Sequence, residues 1–359
     1  MFYKLESLRG IAACLVILYH SPFNVGEKTI TFISNSYLFV DFFFVLSGFV
    51  MALAYTSRIK KNLHFKAYFI LRLGRIYPLH LTILLLWGAY ILLRQLMYVL
   101  DLGGFDQFAE YHLGSFVSHV FLISSIGVDE SLSWNYPAWS ISAEFFAYIA
   151  FYWLTVFLDK KDSILFAAFI SVSCYLLLIY LVKDNIDVTY DYGFLRCLAA
   201  FYVGVLVLRV HQMKKDSGFI RENLFLLEFL CLVGCVVSVS FVSLHLLYFI
   251  PVIAIFAFAI YVFSHEESGF LGRLLLLTPF RKIGLWSYSI YMLHAIVLEG
   301  VFILFQSILK WDVDSISGFN SLIINSLILI MVIFISRYFY VYVESLFRSR
   351  SRKLAEKYK

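Results

Sequence analysis

An arginine and a histidine share one face of the first hydrophobic segment, where charged and titratable residues are unusual. The stretch "LESLRGIAACLVILYHSPF", 5–23, is mostly apolar but contains Arg9 and His20. On a helix, residues eleven apart lie within about 20° around the axis and roughly 16 Å along it. The guanidinium can hold an anion at one side of the membrane, and the imidazole can accept a proton deeper inside. Pro22 is expected to end the helix.

Each residue also has an ordinary interpretation on its own. Arg9 alone resembles a cytoplasmic anchor whose charged end reaches the membrane surface. His20 alone is typical of a histidine that forms a hydrogen bond between two helices. Their shared face favours a joint role over these two separate ones.

Other apolar segments also carry ionisable residues, each of which costs at least about 2.5–3.5 kcal/mol at membrane depth. Asp41 lies near the start of "FVDFFFVLSGFVMALAY", 39–55, and Glu144 lies in "PAWSISAEFFAYIAF", 137–151. Either carboxylate could orient His20 and stabilise its charged form, and the sequence leaves the choice between them open. Asp41 could instead be a helix-start carboxylate stabilised by the helix dipole.

Two further arginines, Arg72 and Arg75 in "RLGRIYP", follow the second apolar segment. They are three residues apart and share a face, so their planar guanidinium groups could bind phosphate oxygens together. Their ordinary role would be positive charge flanking a membrane span.

The polar residues form two predicted layers with one histidine between them. These are Arg9, Arg72, Arg75 and Glu344 on the cytoplasmic side, His20, Asp41, Glu144 and Arg196 from mid-membrane outward, and His294 in between. Such a track suits either transport of an ion or solute, or group transfer between a cytoplasmic donor and an external acceptor.

Composition indicates what must position these residues. The 359-residue chain is 62% hydrophobic and only 15% charged, whereas soluble domains are nearer a quarter charged. We therefore predict an all-α, polytopic membrane protein with one domain, 1–359, and about ten transmembrane helices. The predicted spans are 8–22, 37–56, 78–99, 138–158, 163–182, 194–210, 224–243, 246–264, 284–309 and 321–343.

The distribution of positive charge predicts the orientation. Most of the 29 Lys and Arg residues lie at the two ends and in the even-numbered loops. The exceptions are Lys28, Arg94, Lys183, Arg196 and Lys310 in odd-numbered loops or their flanks, and Arg337 in the last span. This asymmetry predicts that both termini are cytoplasmic and that the number of spans is even.

Several classes of function are disfavoured. All five cysteines fall inside predicted spans and lack the spacing of a zinc site or disulfide framework, so we expect no metal. The net charge of +5 is modest and no basic stripe lies outside the membrane flanks, so nucleic acid is not an expected partner.

The acidic stretch 100–137 contains "FVSHVFLI", 116–123, which is too short to span and suggests an interfacial or re-entrant piece.

In order along the chain, these motifs resemble the acyltransferase 3 family of integral membrane O-acyltransferases. The motifs are "RGIAACLVILYH" 9–20, "FVDFFFVLSGF" 39–49, "RLGRIYP" 72–78, "WSISAEFFAY" 139–148, "RCLAAFYVG" 196–204 and "WSYSIYMLH" 286–294. Each is short, but six in order over nearly the whole chain are specific. The terminal "VESLF" departs from the Glu-x-Pro ending expected there, which puts a role for Glu344 in doubt.

The resemblance implies transfer of an acyl group, usually acetyl from acetyl-coenzyme A, to a hydroxyl of an extracytoplasmic or lipid-linked glycan at the inner (plasma) membrane. Our own hypothesis from the residues agrees with this direction: Arg9, Arg72 and Arg75 attract the phosphates of coenzyme A, and His20 is a general base or an acyl carrier. Asp41 and Glu144 are the expected catalytic carboxylates. The expected substrate contacts and further site residues are Arg196, His294, Ser47 and Trp139. No appended esterase-like domain is expected.

Two other functions fit parts of the pattern. A transporter of acyl groups, glycolipid or protons would need the same polar track. A non-catalytic partner of a cell-envelope glycan complex is disfavoured, because unpaired charges at membrane depth are costly to keep in a purely structural role. The sequence leaves open the acceptor glycan and its hydroxyl, the size of the acyl group and the oligomeric state.

Overall fold

The structure is a computed structural model that describes residues 2–23, 31–158, 160–182, 187–213, 218–242, 249–316 and 318–358. These residues form helices and connecting loops, with no β-strand among them. Some predicted positions lie outside the described ranges. They are the last residue of the span 224–243, the first residues of the span 246–264, and the loop residues Lys28 and Lys183. The all-helical prediction is confirmed.

The described residues contain fifteen α-helices. They are α1 Tyr3–His20, α2 Thr31–Ser34, α3 Phe39–Lys60, α4 Phe65–Val99, α5 Leu113–Val120, α6 Trp139–Phe157, α7 Lys160–Leu181, α8 Gly193–Met213, α9 Gly218–Glu222, α10 Leu224–Phe241, α11 Phe249–Phe263, α12 Phe270–Leu275, α13 Thr278–Ile303, α14 Gly318–Phe339 and α15 Leu346–Glu356. The short helix α5 overlaps the predicted non-spanning piece 116–123.

Eight helices in the described residues are long and apolar enough to cross a membrane: α3, α4, α6, α7, α8, α10, α13 and α14. The other two predicted spans correspond to α1 and α11. Helix α11 is apolar but has only 15 described residues, and α1 carries Lys4, Glu6 and Arg9 within its first turns. Each of the ten predicted segments is therefore helical over most of its described residues, and eight meet the criterion for a span on length and composition.

Two helix pairs approach so closely that only glycine fits between their backbones. A Cβ added to Gly10 on α1 would lie 2.6 Å from the amide nitrogen of Gly284 on α13. Likewise, a Cβ on Gly204 of α8 would lie 1.8 Å from the Val45 carbonyl oxygen on α3. Small residues are what allow transmembrane helices to pack at this distance. The two contacts fix the register of α1 on α13 and of α3 on α8.

Helix α4 begins earlier than predicted. We expected the span to start at Pro78, but the helix begins at Phe65 and Pro78 lies inside it. The ring of a proline normally clashes with the carbonyl four residues earlier, and here that residue is Gly74, beside Ser351 of α15. Arg72 and Arg75 therefore lie on a continuous helix.

The end of the chain is also more helical than predicted. Helix α14 passes through a π-helical segment, Tyr340–Ser345, into α15, which packs along α4. No proline interrupts this segment, so the helix continues beyond the predicted end at 343. As a result Glu344, in the π-helical segment, is buried against the bundle.

The α3–α8 contact predicts a change of sign in an ordinary helix substitution. Gly→Ala inside a helix normally stabilises by about 1 kcal/mol. We expect Gly204→Ala to lower the thermal unfolding midpoint of the detergent-purified protein, because α3 and α8 must separate. The control is Gly300→Ala on α13, which meets no atom within 4 Å and should leave the midpoint unchanged or higher. Equal midpoints for the two variants would contradict the close-packing argument.

Candidate functional site

One cavity brings together the three arginines of the predicted cytoplasmic layer. It has a volume of about 660 Å³ and lies among α1, α3, α4, α6, α13 and α15. Arg9, Arg72 and Arg75 line it together with Ser47 and Glu144. We call it the arginine cavity, and the end of the bundle where the arginines lie the arginine end. Its volume is within the range of about 300–1,000 Å³ that is usual for ligand pockets.

Arg75 is neutralised by the glutamate of the π-helical segment. Its Nη1 atom lies 2.6 Å from Oε1 of Glu344, whose side chain is fully buried. Ser289 donates a second hydrogen bond to Glu344 Oε2 at 3.1 Å. Glu344 thus has a structural partner here even though its sequence motif is atypical.

Arg72 keeps an uncompensated positive charge. Its guanidinium donates to the Tyr55 hydroxyl at 2.5 Å and contacts the Met51 sulfur at 3.2 Å. It also lies over the Tyr55 ring, 4.5 Å from the centroid. Its Nε–H is buried without an acceptor, and no ion pair between described residues includes it. Arg72 is therefore available to an anionic ligand.

Arg9 likewise forms only neutral hydrogen bonds. Its Nε donates to Ser287 Oγ at 2.7 Å and its Nη2 to the Gly284 carbonyl at 3.2 Å, both on α13. Eleven residues further along α1, His20 lies beside His294 of the same helix α13. The face that the spacing predicts for Arg9 and His20 is thus the face that packs on α13.

Three more arginines line the arginine cavity that the sequence analysis did not single out: Arg58, Arg348 and Arg352. Arg58 ends α3, and the other two belong to α15, which folds back along α4. The basic run near the C-terminus was the available signal. It was interpreted only as positive charge that sets the orientation.

Glu144 lies within the arginine cavity and not beside His20. Ser47 donates a hydrogen bond to its Oε1, and the Tyr148 hydroxyl donates to the same oxygen at 2.5 Å. Ser47 and Tyr148 are also within 3.2 Å of each other. These three groups form a hydrogen-bonded cluster in the wall of the arginine cavity.

Asp41 forms a fully buried ion pair with Arg196. Nη2 and Nε of Arg196 lie 2.7 and 3.1 Å from the carboxylate oxygens, and both side chains have no exposed area. Arg196 also pairs with Asp187 at 3.2 Å and lies over the Trp139 ring at 5.6 Å. The ion pair joins α3 to α8. Its Nε, Nη1 and Nη2 atoms all donate to partners within the chain, and the expected contact of Arg196 with a substrate stays a prediction.

No hydrogen bond recorded among the described residues joins His20 to Asp41 or Glu144, the two carboxylates expected to orient it. His20 Nδ1 lies 3.0 Å from the carbonyl oxygen of Val16, one turn earlier on α1. A carbonyl can only accept, so Nδ1 carries a proton, and in the neutral ring Nε2 keeps its lone pair. The Val16 carbonyl therefore does what a carboxylate was predicted to do.

His294 has the same arrangement beside His20. Its Nδ1 lies 2.5 Å from the Tyr291 carbonyl, and its Nε2 is buried without a hydrogen bond. The two imidazole rings are 5.1 Å apart between centroids. Tyr136 lies 5.0 Å from the His20 ring. The result is a pair of histidines whose Nε2 atoms can both accept a proton.

Phe43, Ser140 and Tyr291 lie between this histidine pair and the arginine cavity. The cavity wall includes Phe43, Ser140 and Tyr291 but neither histidine. The Tyr291 hydroxyl lies 2.9 Å from Ser140 Oγ, and its ring lies 5.6 Å from the His294 ring. Tyr291 therefore contacts both compartments.

The described residues contain no cluster of three or more His, Cys, Asp or Glu residues that could hold a metal ion. The five cysteines, all in described segments, are free thiols.

Comparison with known proteins gives one family for almost the whole chain. The model of the Acyl_transf_3 family, described as an acyltransferase domain, matches residues 2–341. A curated relative, "Protein 2 in picA locus" from Rhizobium radiobacter, is 36% identical over 102 residues, which are 28% of this chain and 50% of that protein. The chain thus spans about half the length of this relative. No solved structure gives a significant match.

The buried ion pair predicts a strong effect of a nearly isosteric change. Asp41→Asn leaves the Arg196 charge buried with only partial compensation, which typically costs about 3–5 kcal/mol of unfolding free energy. Denaturant unfolding of the detergent-purified protein measures it. The control is Asp101→Asn, an exposed residue at φ 59°, a conformation that asparagine tolerates. An equally small loss for both variants would mean that the pair is not important for stability.

Proposed function

Because the chain belongs to the acyltransferase 3 family of membrane acyltransferases, we propose that it moves an acyl group, with acetyl preferred, from cytoplasmic acyl-coenzyme A to a hydroxyl of an extracytoplasmic or lipid-linked glycan. One observation carries the proposal. A cavity lined by arginines that have no ion-pair partner among the described residues also has Tyr291 in its wall, and the Tyr291 ring lies beside His294, which lies beside His20.

The donor enters at the arginine end. Coenzyme A carries phosphate groups, and charge-assisted hydrogen bonds from guanidinium groups are the strong way to hold them. Arg72 and Arg9, which have no carboxylate partner among the described residues, supply that charge, with Arg348 and Arg352 at the same cavity. The positive-inside rule assigns this end to the cytoplasm, where acyl-coenzyme A is made.

The acyl end of the donor extends past Glu144 to Tyr291 and Ser140. Movement of the Tyr291 ring then joins the arginine cavity to the histidine pair. The coenzyme stays on the arginine side throughout, and only the thioester carbonyl reaches the histidines. Glu144, held by Ser47 and Tyr148, can accept a hydrogen bond from an amide N–H of the pantetheine arm.

Tyrosines around His20 suit a sugar acceptor. Tyr19 lies 4.7 Å and Tyr136 lies 5.0 Å from the His20 ring, and Tyr37 lies 5.5 Å from Tyr19. Tyrosine offers a flat apolar ring and a hydroxyl that both donates and accepts, which matches the alternating faces and hydroxyls of a sugar. The acceptor is the glycan of a lipopolysaccharide, exopolysaccharide or capsule.

His20 acts as the general base. Nε2 takes the proton of the acceptor hydroxyl while the oxygen of that hydroxyl attacks the thioester carbonyl carbon. The carbon–sulfur bond breaks, and the coenzyme thiolate receives the proton that His20 held. His294 can pass the proton between His20 and the arginine cavity. The alternative role for His20, as an acyl carrier, requires an acyl-imidazole that intact mass measurement of the enzyme with donor alone would detect.

A transporter would need the same polar track, but the family assignment favours an acyltransferase. The two are distinguished in detergent, where no gradient exists. An acyltransferase releases coenzyme A from acetyl-coenzyme A when a glycan acceptor is added, whereas a transporter releases none.

Replacing His20 tests the central role. General-base catalysis contributes about 10²–10⁴-fold, so His20→Ala should lower acetate on surface glycans by about 100-fold or more at equal protein level. The matched control is His64→Ala, an exposed histidine just before α4, which should acetylate normally. Normal acetylation by His20→Ala would remove His20 from the chemistry.

Arg72→Ala tests donor binding. Loss of charged hydrogen bonds at about 1.5–3 kcal/mol should raise the KM for acetyl-coenzyme A about tenfold or more. With acetyl-pantetheine, which lacks the nucleotide phosphates, Arg72→Ala and the parent protein should have similar KM values. An equal loss with both donors would show that Arg72 does not bind phosphate. Arg221→Ala, an exposed arginine on α9, is the control.

A further inference from the structure

A second cavity lies at the same end of the bundle but on its lateral surface. It has a volume of about 430 Å³ and is formed by α3, α6, α7 and α8. We call it the lateral groove, defined by Lys60, Lys61, Tyr202 and Arg209 with an apolar wall that includes Leu154 and Phe166. The acyl-transfer proposal makes no use of it.

Its apolar wall faces the surroundings of the bundle. Phe166 is 42% exposed, and Leu53, which lines this groove and the arginine cavity, is 40% exposed. Both belong to helices that are apolar enough to cross the membrane. Side chains of this kind on a spanning helix lie against lipid chains, so a ligand can enter from the bilayer.

The mouth of the groove is positively charged. Lys60 Nζ donates to the Leu158 carbonyl at 2.8 Å, which leaves its charge uncompensated. Lys61 is exposed, and the recorded hydrogen bond of Arg209 within the described chain is from Nη1 to Gln212 Oε1 at 3.5 Å. The ion pairs recorded between described residues include none of the three. Three cations next to an apolar wall complement a ligand with an anionic head and a hydrocarbon tail.

Tyr202, which lines the groove, has a buried hydroxyl without a partner among the described residues. Tyr202 is only 3% exposed, and its hydroxyl forms no hydrogen bond to the described residues. Arg209 Nε–H is buried and unpaired as well. An unsatisfied buried polar group costs about 1–3 kcal/mol. A ligand oxygen inside the groove would satisfy the Tyr202 hydroxyl.

We propose that the lateral groove binds an anionic phospholipid of the adjacent leaflet. The phosphate lies among Lys60, Lys61 and Arg209, a lipid ester oxygen accepts from Tyr202, and the acyl chain lies along Leu154 and Phe166. Basic pockets between spanning helices bind acidic lipid headgroups in this way. The last turns of α3 form one wall of this groove and one wall of the arginine cavity, so the lipid braces the helix that carries Arg58.

The test uses the full chain, purified in an uncharged detergent and titrated with phosphatidylglycerol or with phosphatidylcholine of the same acyl chains. We expect phosphatidylglycerol to raise the thermal unfolding midpoint and to bind about tenfold more tightly. Lys61→Glu combined with Arg209→Glu should abolish this preference. Arg221→Glu combined with Arg273→Glu makes the same charge change at exposed sites outside both cavities and should retain it.

Three results would overturn the proposal. They are equal stabilisation by the two lipids, an unchanged preference in the Lys61/Arg209 variant, and the same midpoint shift with inorganic phosphate alone. If the glutamate pair does not yield monodisperse protein, Lys61→Gln with Arg209→Gln replaces it, with the same expected loss of preference. Tyr202→Phe should weaken both lipids equally, since the ester oxygen is common to them. The readout is independent of acyl transfer.

Discussion

The contact of α1 with α13 at Gly10 and Gly284 is the constraint on which the site depends. With no room for a side chain between the two backbones, the helices cannot slide past each other without breaking the contact. This register places Arg9 against Ser287 at one level and His20 against His294 at another. The two chemistries that the proposal needs, anion binding and proton transfer, are thus fixed relative to each other by a single helix pair that contains both.

Charge compensation divides the buried cations into two kinds. Arg75 and Arg196 each have a carboxylate at 2.6–2.7 Å and so join helices without leaving a net charge. Arg72 and Arg9 have only hydroxyl, sulfur or carbonyl partners among the described residues. In a medium of low dielectric constant, a cation without a counterion attracts an anion strongly. The same division separates residues that hold the bundle together from residues that are available to a ligand.

The sequence predicted the features that depend on local geometry. The common face of Arg9 and His20 follows from the helical period alone, and the spans follow from the length of apolar runs. The hydrogen-bond partner of His20 could not be predicted in this way, because the rotation of α3 and α6 about their axes decides whether Asp41 or Glu144 faces α1. Asp41 faces Arg196 and Glu144 faces Ser47. Arg348 was missed because its place in the cavity requires α15 to fold back along α4, which no local pattern indicates.

Tyr291 and its neighbours also bear on proton movement through the chain. A polar track open from end to end would conduct protons down the membrane potential and dissipate stored energy. The Tyr291 ring and Phe43, 5.7 Å apart, interrupt the track with hydrocarbon, and the hydroxyl of Tyr291 is held by Ser140 and by the Pro137 carbonyl at 3.1 Å. In this conformation the two rings keep apart the titratable groups on the two sides of the break.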